Sequence, residues 1–281
     1  LWFAGRAHAS GTGLTVLVQD VTESRRAELF EREQREVLGA IAIGEPLEGM
    51  LERVVRLYEY LHPGATCSVM LFDPSSGCMR CGPAPGLPPA YRAALDGLPI
   101  GPNAGSCGTA MYSGARVVAV DTASDPRWVD FRPLVQAFGL AACWSQPFTS
   151  RSGTPLGCLA VYQQERREPT AREIAALETL AAICAIAVER AQAQRRIEAS
   201  EQRFRSLFDH QPDAVYALDR EGCITAVNEA VVQLAGMPRE AIIGRHYESL
   251  IALEVGDEVR GYFRRALAGI ALTRERVLVN V

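Results

Sequence analysis

The chain has 281 residues, and its 29 basic and 33 acidic side chains give a formal net charge of −4. Every basic residue is an arginine. This excludes a phosphate-binding P-loop, a protein-kinase core and a Schiff-base lysine, each of which needs a lysine amine. Arginine-based anion binding remains open. Hydrophobic residues make up 48% of the chain, which is typical of globular proteins, and the length suggests about two domains.

Two strands, 2–9 and 14–19, are expected at the N-terminus. Asp20, with Glu23 three residues later, forms a capping-box pattern, so we expect a helix to start there. Its strongly charged run 31–36 is typical of an exposed linker helix or of one strand of a coiled coil. The apolar residues that would form a short seam along this helix are Phe30, Val37 and Ile41.

The middle block, 46–190, mixes helical and strand patterns. An apolar stripe at helical spacing predicts a helix over 47–61, and a long helix is expected to start near 170 and to run past 203. The segments with strand character are 67–72, 78–82, 116–121, 141–148 and 156–163. The simplest packing of these elements is an antiparallel sheet with helices on one face, an α+β fold.

A similar pattern returns after residue 198. A polar helix leads to two strands, 213–218 and 223–227, and short helices follow. A longer helix is expected at 255–268, with a final strand at the C-terminus. The last block stops after its third strand, whereas the first block is a strand hairpin that leads into a helix, so each looks like the part that the other lacks. Both ends of the chain therefore look cut. We therefore expect the chain to be a piece of a longer protein.

Motifs spaced through the C-terminal block and the middle block resemble two known families. In the C-terminal block they are Glu201–His210, Pro212–Tyr216, Asp219–Gly222, Val227–Ala230, Leu234–Gly236 and Ile243–Arg245. These resemble a PAS domain. In the middle block they are Gly86–Pro88, Pro99–Gly101, Gly105–Ala110, Asp121, Asp125–Trp128 and Cys143–Pro147. These are similar to the GAF domains of bacterial sensor kinases and cyclic di-GMP enzymes.

The resemblance implies tandem PAS and GAF domains, each an antiparallel sheet with flanking helices, joined by long linker helices. The expected segments are the closing strands of a truncated PAS domain at 1–22, a linker helix at 23–45, a GAF domain at 46–190, a linker helix at 191–203 and a C-terminally truncated PAS domain at 204–281. It also implies sensory input in a bacterial signalling protein. The output domain, a histidine kinase or a cyclic di-GMP enzyme, would lie outside this chain, and no enzyme is expected within it.

Cys107 is the candidate for chemistry. It lies in a Gly-rich turn just before a short helix expected at 108–112, where free backbone N–H groups and the helix dipole stabilise a thiolate. This suits a redox or nitric-oxide sensor, whereas the alternative is a buried thiol that fixes a tight loop. The segment also resembles one in GAF-fold free methionine-R-sulfoxide reductases. These need a second cysteine in a downstream loop, but residues 125–139 contain none.

Aromatic residues and thiols are the default lining of a ligand pocket. The GAF candidates are Cys107, Trp128, Phe131, Cys143 and Trp144, with plain core packing as the alternative. The PAS candidates are Tyr216, Asn228 and Leu234. The expected signal is a small ligand or a redox change in these pockets. No cofactor is assigned, because the long helix 255–268 lacks the histidine that haem-binding PAS domains usually place there.

No metal site is expected. Cys78 and Cys81 have CxxC spacing but lack a second ligand pair, and in a strand two residues three apart face opposite sides. The eight cysteines are scattered, mostly within apolar runs, as reduced core thiols are, which favours a cytoplasmic protein. We expect neither a nucleic-acid nor a membrane partner, since the longest apolar run, 180–188, is shorter than the about 20 residues of a membrane helix.

The long helix carries a coiled-coil-like seam at three- and four-residue spacing. Its members are Ile174, Leu177, Ala181, Cys184, Val188 and Ala191. We expect a parallel homodimer through the linker helices, whose register or crossing would change when the ligand binds. A rigid spacer is the competing interpretation.

Overall fold

The structure, a computed structural model, describes residues 2–10, 13–250 and 256–269. The chain divides into two units between residues 193 and 194, within the long helix α6 (Ala171–Asp209). Among the described residues, no helix is both long and apolar enough to cross a membrane.

An exposed hairpin opens the first unit. Strands β1 (Phe3–Ser10) and β2 (Gly13–Asp20) pair antiparallel, and helix α1 (Thr22–Ile43) follows. The helix starts where the sequence predicts, but the prediction of a capping box between Asp20 and Glu23 is wrong. The Asp20 carboxylate accepts from the Thr22 backbone N–H at 2.8 Å, whereas Glu23 pairs with Arg172 on α6. The last turns of α1 do not form an exposed seam, because Val37 and Ile41 are buried in the core of this unit.

A five-stranded antiparallel sheet organises the rest of the first unit, in the order β4-β3-β7-β6-β5. Its strands are β3 (Thr66–Asp73), β4 (Cys78–Cys81), β5 (Val117–Ala119), β6 (Ala142–Thr149) and β7 (Pro155–Gln163). All five lie within two residues of the strands predicted from the sequence, and the α+β class is confirmed. Helix α2 (Leu47–Leu61) also spans the predicted residues.

The sheet separates two hydrophobic cores, because side chains alternate along each strand. Trp144 on β6 and Val161 on β7 face a core that is completed by α1, α2 and α6. Cys143 on β6, with Cys158 and Tyr162 on β7, faces the opposite core.

Short helices cover this second core, so the expectation of helices on only one face is wrong. They are α3 (Pro89–Leu95), α4 (Gly105–Ser113), a 3₁₀ turn (Pro126–Phe131) and α5 (Arg132–Ala137). Apart from α4, these elements are too short to show a helical period in the sequence. Helix α4 begins three residues earlier than predicted, which places Cys107 inside its first turn.

The reciprocal capping box of this unit lies at the start of α6. Thr170 Oγ1 accepts from the Glu173 backbone N–H at 3.3 Å, and a Glu173 carboxylate oxygen accepts from the Thr170 backbone N–H at 2.8 Å. Arg167 also pairs with the Glu173 carboxylate, with 2.9 Å between Nη1 and Oε2. The N-terminus of the long helix is therefore fixed to the sheet that precedes it.

The second unit contains a small hairpin and helices. Strands β8 (Tyr216–Leu218) and β9 (Ile224–Val227) pair antiparallel. The helical elements are α7 (Glu229–Ala235), α8 (Arg239–Ile242), a 3₁₀ turn (Tyr247–Leu250) and α9 (Gly256–Leu267). Their core is formed by Ile224, Val227, Val231 and Ile242. The final strand predicted at the C-terminus lies outside the described residues.

Candidate functional site

Two glycines shape the first turn of α4, which packs against the sheet. Gly105 has φ +61°, a conformation that side chains with a Cβ atom rarely adopt. A Cβ atom on Gly108 would lie 2.5 Å from that of Ala104. Cys107 is the third residue of this helix, where the backbone N–H groups have no partner within the helix. The Gly-rich sequence thus places a thiol at the positive end of a helix and against β6 and β7.

The Cys107 sulfur lies among polar side chains from the sheet. It is 3.4 Å from Ser145 Oγ and 3.8 Å from the Tyr162 hydroxyl, and Cys143 Sγ is 3.9 Å from the same Ser145 oxygen. Ser145 is completely buried and Cys107 is 7% exposed. Such a group of buried hydrogen-bonding side chains is unusual in a core made mostly of apolar residues.

These neighbours lower the pKa of the Cys107 thiol. The hydrogen bond with the Cys158 thiol is the largest cause, and together with those from Ser145 and Tyr162 it outweighs the effect of burial. Burial raises the pKa of Cys143, of Cys158 and of the Tyr162 phenol well above their usual values. Cys107 is therefore the thiol of this cluster whose pKa is lowered, at the start of a helix and beside the hydroxyl groups of Ser145 and Tyr162.

A chain of hydrogen bonds fixes α4 to β6 beside this cluster. The Trp128 indole N–H donates to Ser106 Oγ at 2.9 Å, and the Ser106 hydroxyl donates to the Cys143 carbonyl at 3.4 Å. Trp128 also packs edge-to-face on Phe131, with ring centroids 6.2 Å apart. The 3₁₀ turn that carries both aromatic rings thus covers the first turn of α4.

A cavity of about 20 Å³ lies beside the Cys107 thiol. Its lining is apolar except for the Cys107, Ser106 and Tyr162 side chains, and consists of Met70, Met79, Leu95, Leu98, Ala104, Gly105, Ser106, Cys107, Trp128, Phe131 and Tyr162. A cavity of this volume accommodates about one water-sized molecule. It is too small for an amino acid or a nucleotide in this conformation.

The five candidates of the middle block divide between the two faces of the sheet. Cys107, Trp128 and Phe131 line the cavity, and Cys143 lies on the same face but behind Ser145. Trp144 does not line it, because strand alternation turns its ring to the other face, where the Arg167 guanidinium lies 4.9 Å from the ring centre.

The sequence profile of the GAF domain family matches residues 44–189, the part of the chain that holds this site. The chain belongs to the GAF domain family. After the GAF domain, the profile of the PAS fold matches residues 208–278. Both agree with the resemblances seen in the sequence.

Known proteins similar to this chain are sensors. The methyl sulfide methyltransferase-associated sensor of Methanosarcina acetivorans is 34% identical over 245 residues, which cover 87% of this chain and 24% of that protein. The sensor protein kinase WalK of Staphylococcus aureus is 36% identical over 63 residues, or 22% of this chain and 15% of that protein. The chain thus spans a quarter or less of the length of these relatives.

A solved structure agrees with the fold of the GAF domain. The GAF domain from a phosphoenolpyruvate-protein phosphotransferase of Coxiella burnetii matches with a TM-score of 0.50 at 21% identity. The match covers 59% of this chain and 96% of that structure. At this identity the likeness shows the fold alone.

The three PAS candidates do not form one site among the described residues. The Tyr216 and Leu234 side chains are 49% and 45% exposed, respectively. Asn228 is fully buried, but its side chain is used by the backbone: Oδ1 accepts from Val215 and Val231, and Nδ2 donates to the carbonyls of Gln211 and Asp213. Asn228 thus holds the PAS fold together.

Sequence reasoning missed Ser145, Cys158 and Tyr162. The available signal was the strand period, since Ser145 stands two residues after Cys143, and Cys158 and Tyr162 are four apart on β7. Cys78 and Cys81 lie at opposite ends of β4, in register with Asp73 and Met70 of β3, respectively. Within the described ranges, no group of three metal-ligating side chains occurs.

Proposed function

We propose that this chain is a sensory input region of a signalling protein and that the cavity beside Cys107 receives the signal. The observation that carries the proposal is the placement of the Cys107 thiol in a polar cluster at a small cavity, on a sheet whose other face packs on α6. The sensor relatives support this function. Since all eight cysteines are free, the compartment that fits best is the reducing cytoplasm.

Strand β6 offers a route from the Cys107 thiol, which lies 3.4 Å from Ser145 Oγ, to α6. Cys143 and Ser145 face the cavity side, and Trp144 between them faces the other core. The Trp144 ring lies under Arg167, which pairs with Glu173 in the first turn of α6. A shift of β6 that accommodates a ligand would therefore move the Trp144 ring and bias the start of the long helix.

The two linker helices are also connected near the far end of the GAF domain. The Arg190 guanidinium on α6 donates to the Ala42 carbonyl at the C-terminus of α1, at 3.1 Å. A displacement of α6 would reach α1 through this contact. We propose that the helices pass the signal to an output domain outside this chain, and the kinase relative favours a histidine kinase over a cyclic di-GMP enzyme.

A second copy of the chain is the proposed partner of α6. Beyond the GAF domain, Ile197, Phe204 and Leu207 are exposed apolar residues at seven- and three-residue spacing. This spacing is that of a coiled-coil seam. The apolar residues expected to form seams on α1 and on 177–188 of α6 are covered by the GAF core, so the proposed dimer contact lies on α6 beyond that domain.

A bulky residue in the cavity tests the proposal without knowledge of the ligand. Cys107→Leu fills the cavity, and we expect it to change amide hydrogen exchange in 171–209 relative to the wild type. Cys78→Leu is the matched control, because Cys78 lies on the edge strand β4 and does not line the cavity. If thermal unfolding shows that Cys107→Leu is folded and α6 exchanges as in the wild type, the proposed signal route is wrong.

The methionine sulfoxide reductase alternative has less support from the geometry. Such an enzyme must bind free methionine sulfoxide, and the cavity beside Cys107 has a volume of about 20 Å³. The loop that would hold the second cysteine, 125–139, contains none, and Cys143 is fixed in β6. Turnover of methionine sulfoxide by the purified chain, lost in Cys107→Ser, would reverse this judgement.

A further inference from the structure

An arginine-rich groove lies on the surface of the first unit and shares no lining residue with the cavity beside Cys107. It runs along α1 beside the C-terminal end of α2, and its volume is about 670 Å³. A second cavity of about 490 Å³ adjoins it, since both are lined by Leu29, Arg32 and Tyr60. Small-molecule pockets in proteins usually have volumes of about 300–1,000 Å³, so the groove is large enough for a ligand of that class.

Positive charge predominates in the larger cavity. Its lining contains four arginines of α1 but one carboxylate, that of Glu28. The arginines are Arg25, Arg26, Arg32 and Arg35. They are spread over about three helical turns. The planar guanidinium group matches the oxygen atoms of phosphates and carboxylates, so the lining is suited to an anion.

The ion pairs of these arginines are weak enough for a ligand to replace them. Arg25 lies 3.3 Å from Glu28, and both side chains are more than half exposed. Arg26 lies 3.9 Å from Glu23. Among the described residues, Arg35 forms no ion pair, and its Nε donates to a backbone carbonyl of the same helix at 3.3 Å. Exposed ion pairs contribute little to stability, so their exchange for a stronger anion costs little.

Two exposed aromatic rings border the same cavity. Trp2 is 53% exposed and Tyr60 is 61% exposed, although aromatic side chains are usually more deeply buried. The Trp2 backbone N–H donates to Thr22 Oγ1 at 2.7 Å, and the Trp2 carbonyl accepts from the Val21 N–H at 2.8 Å. The backbone of Trp2 is thus held at the start of α1. Both rings present surfaces on which a planar group of a ligand can stack.

We propose that this groove binds a small molecule with two or more phosphate groups, of which nucleoside di- and triphosphates would also use the aromatic rings. A phosphate ester carries a charge of about −1.5 to −2 and three acceptor oxygens. A carboxylate ligand would only replace Glu28 with an equal charge, whereas a phosphate binds the arginines more strongly. More than one phosphate is needed because the arginines are spread along the helix.

The position of the groove makes it a second input to the linker helices. A ligand that pairs with the arginines of α1 and stacks on Tyr60 of α2 would hold these two helices together. The C-terminus of α1 contacts α6 through Arg190 and the Ala42 carbonyl. The site does not involve Cys107, so it is independent of the proposed function.

Tryptophan fluorescence of the whole chain tests for binding. Of the three tryptophans, Trp2 is exposed, whereas Trp128 and Trp144 are buried. We expect sodium tripolyphosphate to change the emission in a saturable manner, and Trp2→Phe to remove this change while calorimetry still detects binding. By calorimetry, ATP should bind several times more tightly than tripolyphosphate because its base can stack. If neither compound binds at millimolar concentration, the proposal is wrong.

Charge variants locate the binding site. The double variant Arg25→Gln, Arg32→Gln should bind tripolyphosphate about tenfold or more weakly, because two charge-assisted contacts are lost. Arg80→Gln is the matched control, since Arg80 is exposed on β4 and lies outside the groove. Arg35→Gln breaks no ion pair, should weaken binding several-fold, and keeps the test decisive if circular dichroism shows the double variant to be unfolded. Binding equal to that of Arg80→Gln in the folded groove variants would overturn the site.

Two larger probes separate the possible sources of phosphate. Vesicles that contain phosphatidylserine present phosphate groups on a membrane surface, and a single-stranded oligonucleotide presents them along a chain. Binding of either probe without binding of tripolyphosphate or ATP would overturn the proposal of a small-molecule site. Cys107→Leu should bind tripolyphosphate as the wild type does, so a failure of this site is distinguishable from a failure of the signal route that starts at Cys107.

Discussion

The Arg167 guanidinium lies 4.9 Å from the centre of the Trp144 ring, on the face of the sheet opposite the Cys107 thiol. The same arginine pairs with Glu173 at the start of α6. One aromatic ring thus connects β6, the strand that carries the Ser145 partner of the Cys107 thiol, with the first turn of the long helix. The arrangement depends on Glu173, which binds both Arg167 and the backbone of Thr170.

We expect Glu173→Gln to destabilise the GAF domain and to change its response to acid. Burial alone would raise the pKa of Glu173, but hydrogen bonds from Arg167 and Thr170 outweigh burial and lower the pKa from 4.5 to about 2. Because the folded-state pKa is below the unfolded one, the stabilisation is complete above pH 4.5 and is lost as the pH falls toward 2. Its size is on the order of 2 kcal/mol after allowance for solvent screening.

Urea unfolding as a function of pH measures this effect. Glu173→Gln should unfold at lower urea concentration than the wild type at pH 7. The unfolding midpoints of the two proteins should converge as the pH falls toward 2. Glu178→Gln is the matched control, since that carboxylate is half exposed and pairs only with Arg116 among the contacts in the structure. Equal losses in both variants would contradict the role assigned to Glu173.

Ser145→Ala should raise the pKa of Cys107 and slow its alkylation at neutral pH by about tenfold, since a hydrogen bond to a charged group contributes about 1.5–3 kcal/mol. Ser145 Oγ lies 3.4 Å from the sulfur. Ser68→Ala is the matched control, because Ser68 bonds to Tyr162 but has no bond to Cys107. Mass spectrometry of peptide 93–116 after iodoacetamide treatment measures the rate. An unchanged rate in Ser145→Ala would show that this hydroxyl does not stabilise the thiolate.

The contrast between Cys107 and Trp144 illustrates what the sequence could predict. The strands and long helices were predictable because each shows a clear hydrophobic period over its length. Cys107 was identifiable because glycines surround it. Trp144 was expected beside Cys143 in the pocket, but adjacent residues of a strand face opposite sides of the sheet, so the contacts of the two residues are separate. The partners of Cys107 could not be predicted, because the register that brings β7 beside α4 depends on packing between distant segments.

Gly157→Ala should destabilise the GAF domain by about 1–3 kcal/mol, the usual cost of overpacking a core. A Cβ atom at this position of β7 would lie 2.4 Å from the Met70 carbonyl oxygen and 2.5 Å from the Phe148 ring. Gly49→Ala is the matched control: it lies in α2 with open space around it, and we expect it to stabilise the domain by up to about 1 kcal/mol. Thermal or urea unfolding that shows no loss in Gly157→Ala would contradict this packing.

Asn228→Ala should destabilise the PAS domain by about 2–4 kcal/mol without changing the GAF domain. The substitution removes two acceptor and two donor interactions of a fully buried amide. Asn228→Asp keeps the acceptors and loses the donors, so an intermediate loss is expected. Amide exchange can follow both domains in one sample. A variant that keeps exchange protection in 224–242 would show that Asn228 is not structural and would reopen its role in a pocket.

Phe204→Arg should dissociate the proposed dimer of α6. Phe204 is 67% exposed, stacks on Phe208 with ring centroids 5.8 Å apart, and stands seven residues after Ile197 and three before Leu207. In a parallel pair its ring would pack against its counterpart, and a charge there would be buried without a partner. Gln202→Arg is the matched control, because residue 202 is exposed and lies outside the seam.

Light scattering over a dilution series measures this dissociation. We expect the wild type and Gln202→Arg to be dimers that dissociate on dilution, and Phe204→Arg to be a monomer at the same concentrations. A wild type that is monomeric at every concentration would exclude the dimer for this chain. A dimer that persists in Phe204→Arg would place the contact elsewhere, away from the seam on which the proposed transmission between copies depends.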